Sequence, residues 1–67
     1  MTAAEYRSAL KTLGLSQSAA GEWLGCHDTT GRRWAERGPP PPVAKFLRLM
    51  LALGFSPSYV DEVIGAD

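Results

Sequence analysis

The segment "GPPPP", residues 38–42, constrains the fold of this chain more than any other. Proline donates no backbone hydrogen bond and disfavours helix in the residue before it, so a helix that arrives at this segment must end there. Proline is also favourable in the first turn of a helix, so a new helix can begin from the same segment. The chain of 67 residues has room for one hydrophobic core. We therefore predict a single domain over residues 1–67, with helices on both sides of the prolines.

Hydrophobic periodicity predicts helices throughout the chain and no strand of alternating type. Thr2 and Glu5 are spaced as a capping box at the start of the first helix, and Gly14 is placed to end it. Ser16 is a favourable N-cap for the second helix. The predicted helices span about residues 3–13, 17–24, 28–36, 43–53 and 57–64. The sequence thus predicts an all-α fold of five short helices.

The distribution of charge is more informative than its sum. Seven Lys and Arg residues balance seven Asp and Glu residues, which argues against a generic, strongly basic nucleic-acid binder. Arg32, Arg33 and Arg37 nevertheless fall within six residues, whereas the last seven residues contain three carboxylates and no cation. We therefore expect any anionic partner to meet the middle of the chain.

The one cysteine and the one histidine of the chain are adjacent, as Cys26 and His27. Catalytic Cys and His partners are usually neighbours in space rather than along the chain, and one such pair supplies too few ligands for zinc. We expect no catalytic site, metal, cofactor or small-molecule substrate, and we expect Cys26 to be a small buried residue under a turn.

The compartment and the solubility of the chain follow from a few further features. A single unpaired thiol is typical of a reducing compartment, and the N-terminus lacks the pattern of a signal peptide. The apolar segment 43–53 is too short to span a bilayer. We therefore expect a cytoplasmic protein that makes no contact with membranes.

The middle of the chain combines a helix rich in small residues, a short turn and a helix with a polar outer face. Ala20 and Gly21 would let another helix approach closely, and Gly25 begins the turn. This stretch, "LSQSAAGEWLGCHDTTGRRWAERG", resembles the DNA-binding unit of the phage repressor and Cro-like family of bacterial regulators. The resemblance implies a five-helix, lambda-repressor-like domain with a central helix-turn-helix at about residues 16–37. In that family Ala20 and Leu24 would face the core, and Trp34 would anchor the recognition helix.

The resemblance also implies a function, that of a sequence-specific transcriptional regulator similar to small phage or prophage repressors. The partner would be double-stranded DNA, read in the major groove of an operator. The residues that would face base edges are Asp28, Thr29, Arg32 and Arg33, and those that would hold phosphates are Gln17, His27, Thr30 and Arg37. The alternative for the arginines is a solvated helix face, with Glu36 in local ion pairs.

Gly31 stands where the resembled family usually has a branched aliphatic residue. The absent side chain leaves a volume that Trp23 would fill, and the sequence leaves open whether a void or an aromatic ring adjoins Gly31. Where a void remains, Gly31→Ala should stabilise the domain by about 0.5–1 kcal/mol through helix propensity. If the ring of Trp23 or Trp34 already lies against the glycine, the same substitution should destabilise it.

The segment 43–53 is too apolar for an exposed helix of a small monomer. We expect a two-fold homodimer on DNA, with an interface formed by Phe46, Met50, Leu53, Phe55 and Tyr59. The equally weighted alternative is that this helix is the centre of the monomer core. Functions other than DNA-binding regulation remain open on the same fold: a protein-interaction module without DNA affinity, or an antitoxin-type regulator.

Overall fold

A computed structural model describes residues 1–65 of the chain, and five α-helices account for most of them. They are α1 (Ala3–Leu13), α2 (Gln17–Trp23), α3 (Asp28–Arg37), α4 (Pro41–Leu53) and α5 (Pro57–Ile64). Residues 1–65 contain no β-strand. The predicted all-helical architecture with five helices is confirmed.

The proline segment separates α3 from α4 as predicted, although α4 begins two residues earlier than expected. Pro40 is the N-cap of α4, with φ −65° and ψ 157°, and Pro41 is its first residue. The first turn of a helix leaves its N–H groups without partners, so proline loses nothing there. On the other side, α3 extends to Arg37, one residue beyond the predicted end.

Side-chain caps fix the starts of three helices. At α1 the Glu5 N–H donates to Thr2 Oγ1 at 3.1 Å, and the Thr2 N–H donates to Glu5 Oε1 at 2.8 Å. This capping box is the one that the sequence predicts. The backbone N–H of Thr2, with its hydroxyl, lowers the pKa of the Glu5 carboxyl. At α2 and α5 the cap is a single bond, in which the side chain of Ser16 accepts the N–H of Ala19 and that of Ser56 accepts the N–H of Tyr59.

The helices enclose one hydrophobic core. Its largest fully buried side chains are Tyr6, Leu10, Leu47 and Met50. Smaller buried residues complete it, namely Ala20, Ala35 and Val60. Leu24, which the resemblance places towards the core, is only half-buried and ends α2 as its C-cap.

Trp23 connects α2 to the last two helices. Its ring stacks on Phe46 of α4, with centroids 6.0 Å apart and an interplanar angle of 28°. Its indole N–H donates to both carboxylate oxygens of Asp61 in α5, at 3.0 and 3.1 Å. Trp23 therefore does not fill a void beside Gly31, and that expectation was wrong.

Gly21 and Gly31 bring α2 and α3 into direct backbone contact. A Cβ atom on Gly31 would lie 2.1 Å from the carbonyl oxygen of Gln17 and 2.6 Å from the nitrogen of Gly21. A Cβ on Gly21 would lie 2.3 Å from the carbonyl oxygen of His27. Neither of the two surroundings considered for Gly31 is present, because its nearest neighbours are backbone atoms rather than a void or an aromatic ring.

No helix within residues 1–65 combines the length and the apolar character needed to cross a membrane. The longest helix, α4, has 13 residues, whereas a span needs about 20.

Candidate functional site

The outer face of α3 carries a depression lined by four of the eight residues predicted to contact DNA. Gly31 and Ala35 are buried on the inner side of the helix. On the outer side, five residues line one shallow, open depression, namely Thr29, Arg32, Arg33, Glu36 and Arg37. All five are exposed. The depression thus presents three guanidinium groups, one hydroxyl and one carboxylate to solvent.

Two side chains from α1 fix the position of α3. The hydroxyl of Tyr6 donates to the carbonyl oxygen of Gly31 at 3.3 Å, and the Arg7 guanidinium donates to the carbonyl oxygen of Ala35. The Tyr6 ring also meets Trp34 edge to face, with centroids 6.2 Å apart. Both acceptors are backbone carbonyl oxygens of α3, so rotation of α3 about its axis would break the two hydrogen bonds. The orientation of the outer face is therefore set from inside the domain.

Asp28, the first residue of α3, interacts with its own helix through both carboxylate oxygens. Oδ1 accepts the backbone N–H of Thr29 at 2.8 Å. Oδ2 lies 3.6 Å from Nη2 of Arg32, one helical turn further on. This is the one ion pair found within residues 1–65, so the local ion pairs with Glu36 that the alternative requires do not form there.

The residues expected to hold phosphates are less closely grouped. Arg37 lines the depression, whereas Gln17, His27 and Thr30 do not. Gln17 is exposed at the start of α2, and its carbonyl oxygen lies against Gly31. His27 is exposed as the N-cap of α3 and makes no side-chain capping bond, and Thr30 is half-buried.

The turn between α2 and α3 depends on Gly25. Its φ of 82° lies in the left-handed region, which costs a side chain but not glycine. The Cys26 N–H donates to the carbonyl oxygen of Gly21 at 2.8 Å and closes the turn. The Cys26 side chain is exposed, so the expectation that it is buried under the turn was wrong.

A second surface lies between α4 and α5, and we call it the α4–α5 groove. Its lining is entirely apolar and consists of Phe46, Leu49, Met50, Phe55, Val60, Val63 and Ile64. Leu49, Val63 and Ile64 are exposed, as is Leu53 on the same helix as Leu49. Met50 is only 1% exposed and belongs to the core, so its assignment to an exposed interface was wrong. Helix α4 is central to the core and also presents an apolar edge.

Of the other residues expected at the interface, Phe46 and Phe55 are half-buried and Leu53 and Tyr59 are exposed. Phe46 stacks on Trp23, and Phe55 packs against Tyr59 with centroids 4.7 Å apart. These internal contacts leave Leu53 and Tyr59 as the accessible members of the set.

Within residues 1–65, no three His, Cys, Asp or Glu side chains lie close enough together to hold a metal ion. Comparison of the chain with protein-family models, with curated proteins and with solved structures finds no match. The α3 face and the α4–α5 groove are the surfaces whose geometry bears on function.

Proposed function

We propose that this protein is a sequence-specific DNA-binding regulator in which α2, the Gly25 turn and α3 act as a helix-turn-helix. Helix α3 would enter the major groove with its outer face towards the bases. The observation that carries the proposal is the pairing of this exposed, arginine-rich face with an inner side held by backbone contacts and by two bonds from α1. A rigidly held helix with a polar outer face is what readout of base edges requires.

The roles follow from the chemistry of each side chain. Arg32 and Arg33 are the candidates for bidentate contact with guanine, which is the most common specific contact of arginine. Thr29, one turn before them on the same face, can donate to or accept from a base edge. Arg37, at the C-terminal end of α3, would contact a phosphate, as would Gln17, His27 and Thr30 at the helix starts.

The neutral charge of the whole chain is compatible with this proposal because the cations are not evenly distributed. The α3 depression presents three arginines and one carboxylate, whereas Asp61 and Glu62 lie in α5. Electrostatic attraction to phosphates falls off within about 10 Å at 0.1 M salt, so local charge matters more than net charge. Non-specific affinity should accordingly be low and strongly dependent on salt.

The proposal is tested by selecting binding sites from a randomised duplex library and sequencing the bound fraction. We expect a defined motif to be enriched. Arg32→Ala and Arg33→Ala should each weaken binding to that motif by about 1–3 kcal/mol and widen the bases tolerated. Arg37→Ala should weaken binding to all sequences alike. The matched control is Arg48→Ala, which removes an exposed arginine of α4 and should leave the motif unchanged.

A library without an enriched motif would contradict the proposal, as would tight binding of the enriched site by both Arg32→Ala and Arg33→Ala. Measuring the affinity for random duplex at several salt concentrations adds an independent criterion. The logarithm of affinity should fall with the logarithm of salt concentration by about 0.9 per phosphate neutralised.

The α4–α5 groove supports the further proposal that the DNA-bound form is a two-fold dimer. Two copies would meet through Leu49, Val63 and Ile64, the exposed residues of the groove, and through Leu53, which is exposed one turn beyond Leu49 on α4. A dimer would place two recognition helices about 34 Å apart, one turn of duplex. It would also double the number of bases read.

The same groove favours a second candidate function, a module that binds another protein and has no DNA affinity. The exposed apolar side chains are unusual for a small monomer and are typical of protein interfaces. The salt titration separates the two functions, because a protein-interaction module would show no salt-dependent binding to duplex DNA. An antitoxin-type regulator would use both surfaces at once.

A further inference from the structure

We propose that Asp28 is a positioning residue that sets the specificity of Arg32, and that it does not itself contact a base. This inference depends on the proposed DNA-binding function and adds to it. It assigns Asp28 a role different from the direct base contact that the family resemblance implies. The observation that supports it is the use of both Asp28 oxygens within α3.

The start of α3 fixes the orientation of the Asp28 carboxylate. Oδ1 accepts the Thr29 N–H at 2.8 Å, which is one of the N–H groups that a helix leaves without an intrahelical partner. Oδ2 is thereby directed along the helix to Nη2 of Arg32, at 3.6 Å. The Asp28 and Arg32 side chains are 49% and 52% exposed, so the pair lies on the face of α3 rather than beneath it.

The geometry leaves Arg32 free to contact DNA while it remains paired. A guanidinium carries five N–H donors in a planar fork, and guanine uses two of them. One edge of the fork can therefore stay on Asp28 while another faces the base. An exposed ion pair of this kind adds little to the stability of the free protein. In the complex with DNA, where part of the solvent around the pair is displaced, the same pair becomes stronger and restricts the rotamers of Arg32.

The negative charge of Asp28 has a second effect, of opposite sign. A carboxylate at the DNA-facing end of α3 repels phosphates and neutralises one of the three arginines of the depression. Asp28 should therefore lower the affinity for every duplex while it raises discrimination between bases. A residue with only a structural role would not change these two quantities in opposite directions.

Glu36 offers a matched control. It is a carboxylate on the same exposed face of α3 and lines the same depression as Arg32. Within the described residues it forms no ion pair, since the pair found there joins Asp28 to Arg32. Glu36→Gln removes one negative charge from the face without affecting the support of Arg32.

The test uses Asp28→Asn, because an asparagine oxygen can still accept the Thr29 N–H while the charge is lost. The base pair read by Arg32 is first defined as the position at which Arg32→Ala loses discrimination. Affinities are then measured for the selected site, for its single-base variants and for random duplex. Circular dichroism of each variant monitors the helices.

We expect Asp28→Asn to bind random duplex about threefold more tightly at low salt, since one repulsive charge is removed from the interface. Discrimination at the base pair read by Arg32 should fall by about tenfold, which is within the range that one bidentate contact supplies. Glu36→Gln should bind random duplex more tightly with unchanged discrimination. Asp28→Glu, which keeps the charge within reach of Arg32, should restore much of the discrimination. In the Arg32→Ala background, Asp28→Asn should cause no further loss.

Three outcomes would overturn the inference while leaving the proposed function in place. Asp28→Asn could keep full discrimination at the Arg32 position. Asp28→Asn and Glu36→Gln could lose discrimination equally. Asp28→Asn could lose it at base pairs that do not depend on Arg32, which is the result expected of a direct base contact. Failure of the proposed function itself is distinct, because the wild-type protein would then select no motif at all.

Discussion

Gly31→Ala provides the most direct test of how α3 is held. The substitution adds one methyl group on the inner side of α3, where the backbone of α2 lies against it. The new Cβ would be 2.1 Å from the Gln17 carbonyl oxygen, 2.6 Å from the Gly21 nitrogen and 2.9 Å from the Gly21 Cα. Favourable carbon contacts lie at about 3.5–4.0 Å. The two helices must therefore move apart, because none of these atoms belongs to a side chain that could change rotamer.

The expected change in the free energy of unfolding is the cost of overpacking minus the gain in helix propensity. Alanine is favoured over glycine in a helix by about 1 kcal/mol. Overpacking a rigid contact costs about 1–3 kcal/mol and occasionally more. Because the new methyl group overlaps three backbone atoms, we expect its cost to be at or above the upper end of that range. We expect a net loss of about 2 kcal/mol, which corresponds to a fall in Tm of about 8–16 °C for a domain of this size. For comparison, the total free energy of unfolding of a domain of 67 residues is about 3–10 kcal/mol.

Urea unfolding followed by circular dichroism measures this loss, with Thr29→Ala as the control. Thr29 lies in the same helix and is exposed, so its replacement reports helix propensity without crowding and should raise stability by a few tenths of a kcal/mol. Gly31→Ala should also weaken binding to the selected DNA site, since it displaces the whole outer face. A Gly31→Ala protein as stable as the wild type, with an unchanged m-value, would show that α2 and α3 are not in backbone contact.

Three further predictions concern the bond from Trp23 to Asp61, the burial of Tyr6, and the buried and exposed sides of α4. Trp23→Phe keeps the stacking but removes the N–H that donates to Asp61, and we expect it to cost about 1–2 kcal/mol in urea unfolding; equal stability would contradict a role for this bond. Burial raises the pKa of Tyr6, so its contribution to stability is complete below the ordinary pKa of 10.0 and is lost as the pH rises through the higher folded value. Tyr6→Phe should lack this alkaline loss when unfolding is compared at neutral and alkaline pH, and identical pH profiles would refute it. Met50→Glu should abolish the helical signal because Met50 is buried, and a folded Met50→Glu protein would contradict the core assignment. Leu53→Glu should keep the fold and dissociate the proposed DNA-bound dimer in sedimentation of the complex.

The positions of the helices could be predicted from sequence because their ends depend on local chemistry. Thr2 and Ser16 accept N–H groups of their own first turns, and Gly14 closes α1 in a left-handed conformation that favours glycine. These interactions join residues no more than four positions apart, so they can be predicted from the local sequence pattern. The prediction starts α4 at Val43, two residues too late, because Pro41 and Pro42 are compatible with a connection as well as with the first turn of a helix.

The tertiary contacts of the site could not be predicted in the same way. Gly21 was expected to allow a close helix approach, but nothing in the sequence indicated that its partner is Gly31, ten residues away. A glycine in a helix is compatible with a void and with a close contact, and only the positions of the two backbones distinguish them. Met50 presents the same problem, because α4 is apolar on the side that packs on the core and on the side that faces solvent.

The proline segment affects α3 in a way that extends beyond ending it. In a longer helix the carbonyl oxygen of Ala35 would accept the N–H of residue 39, but Pro39 has none. The Arg7 guanidinium donates to this oxygen instead. A cation near the last turn of a helix is also favoured by the helix dipole. One of the seven Lys and Arg residues thus supports the position of α3, and the three arginines of the outer face remain available to a partner. The end of α3 ahead of the prolines thus leaves free the acceptor through which α1 holds α3.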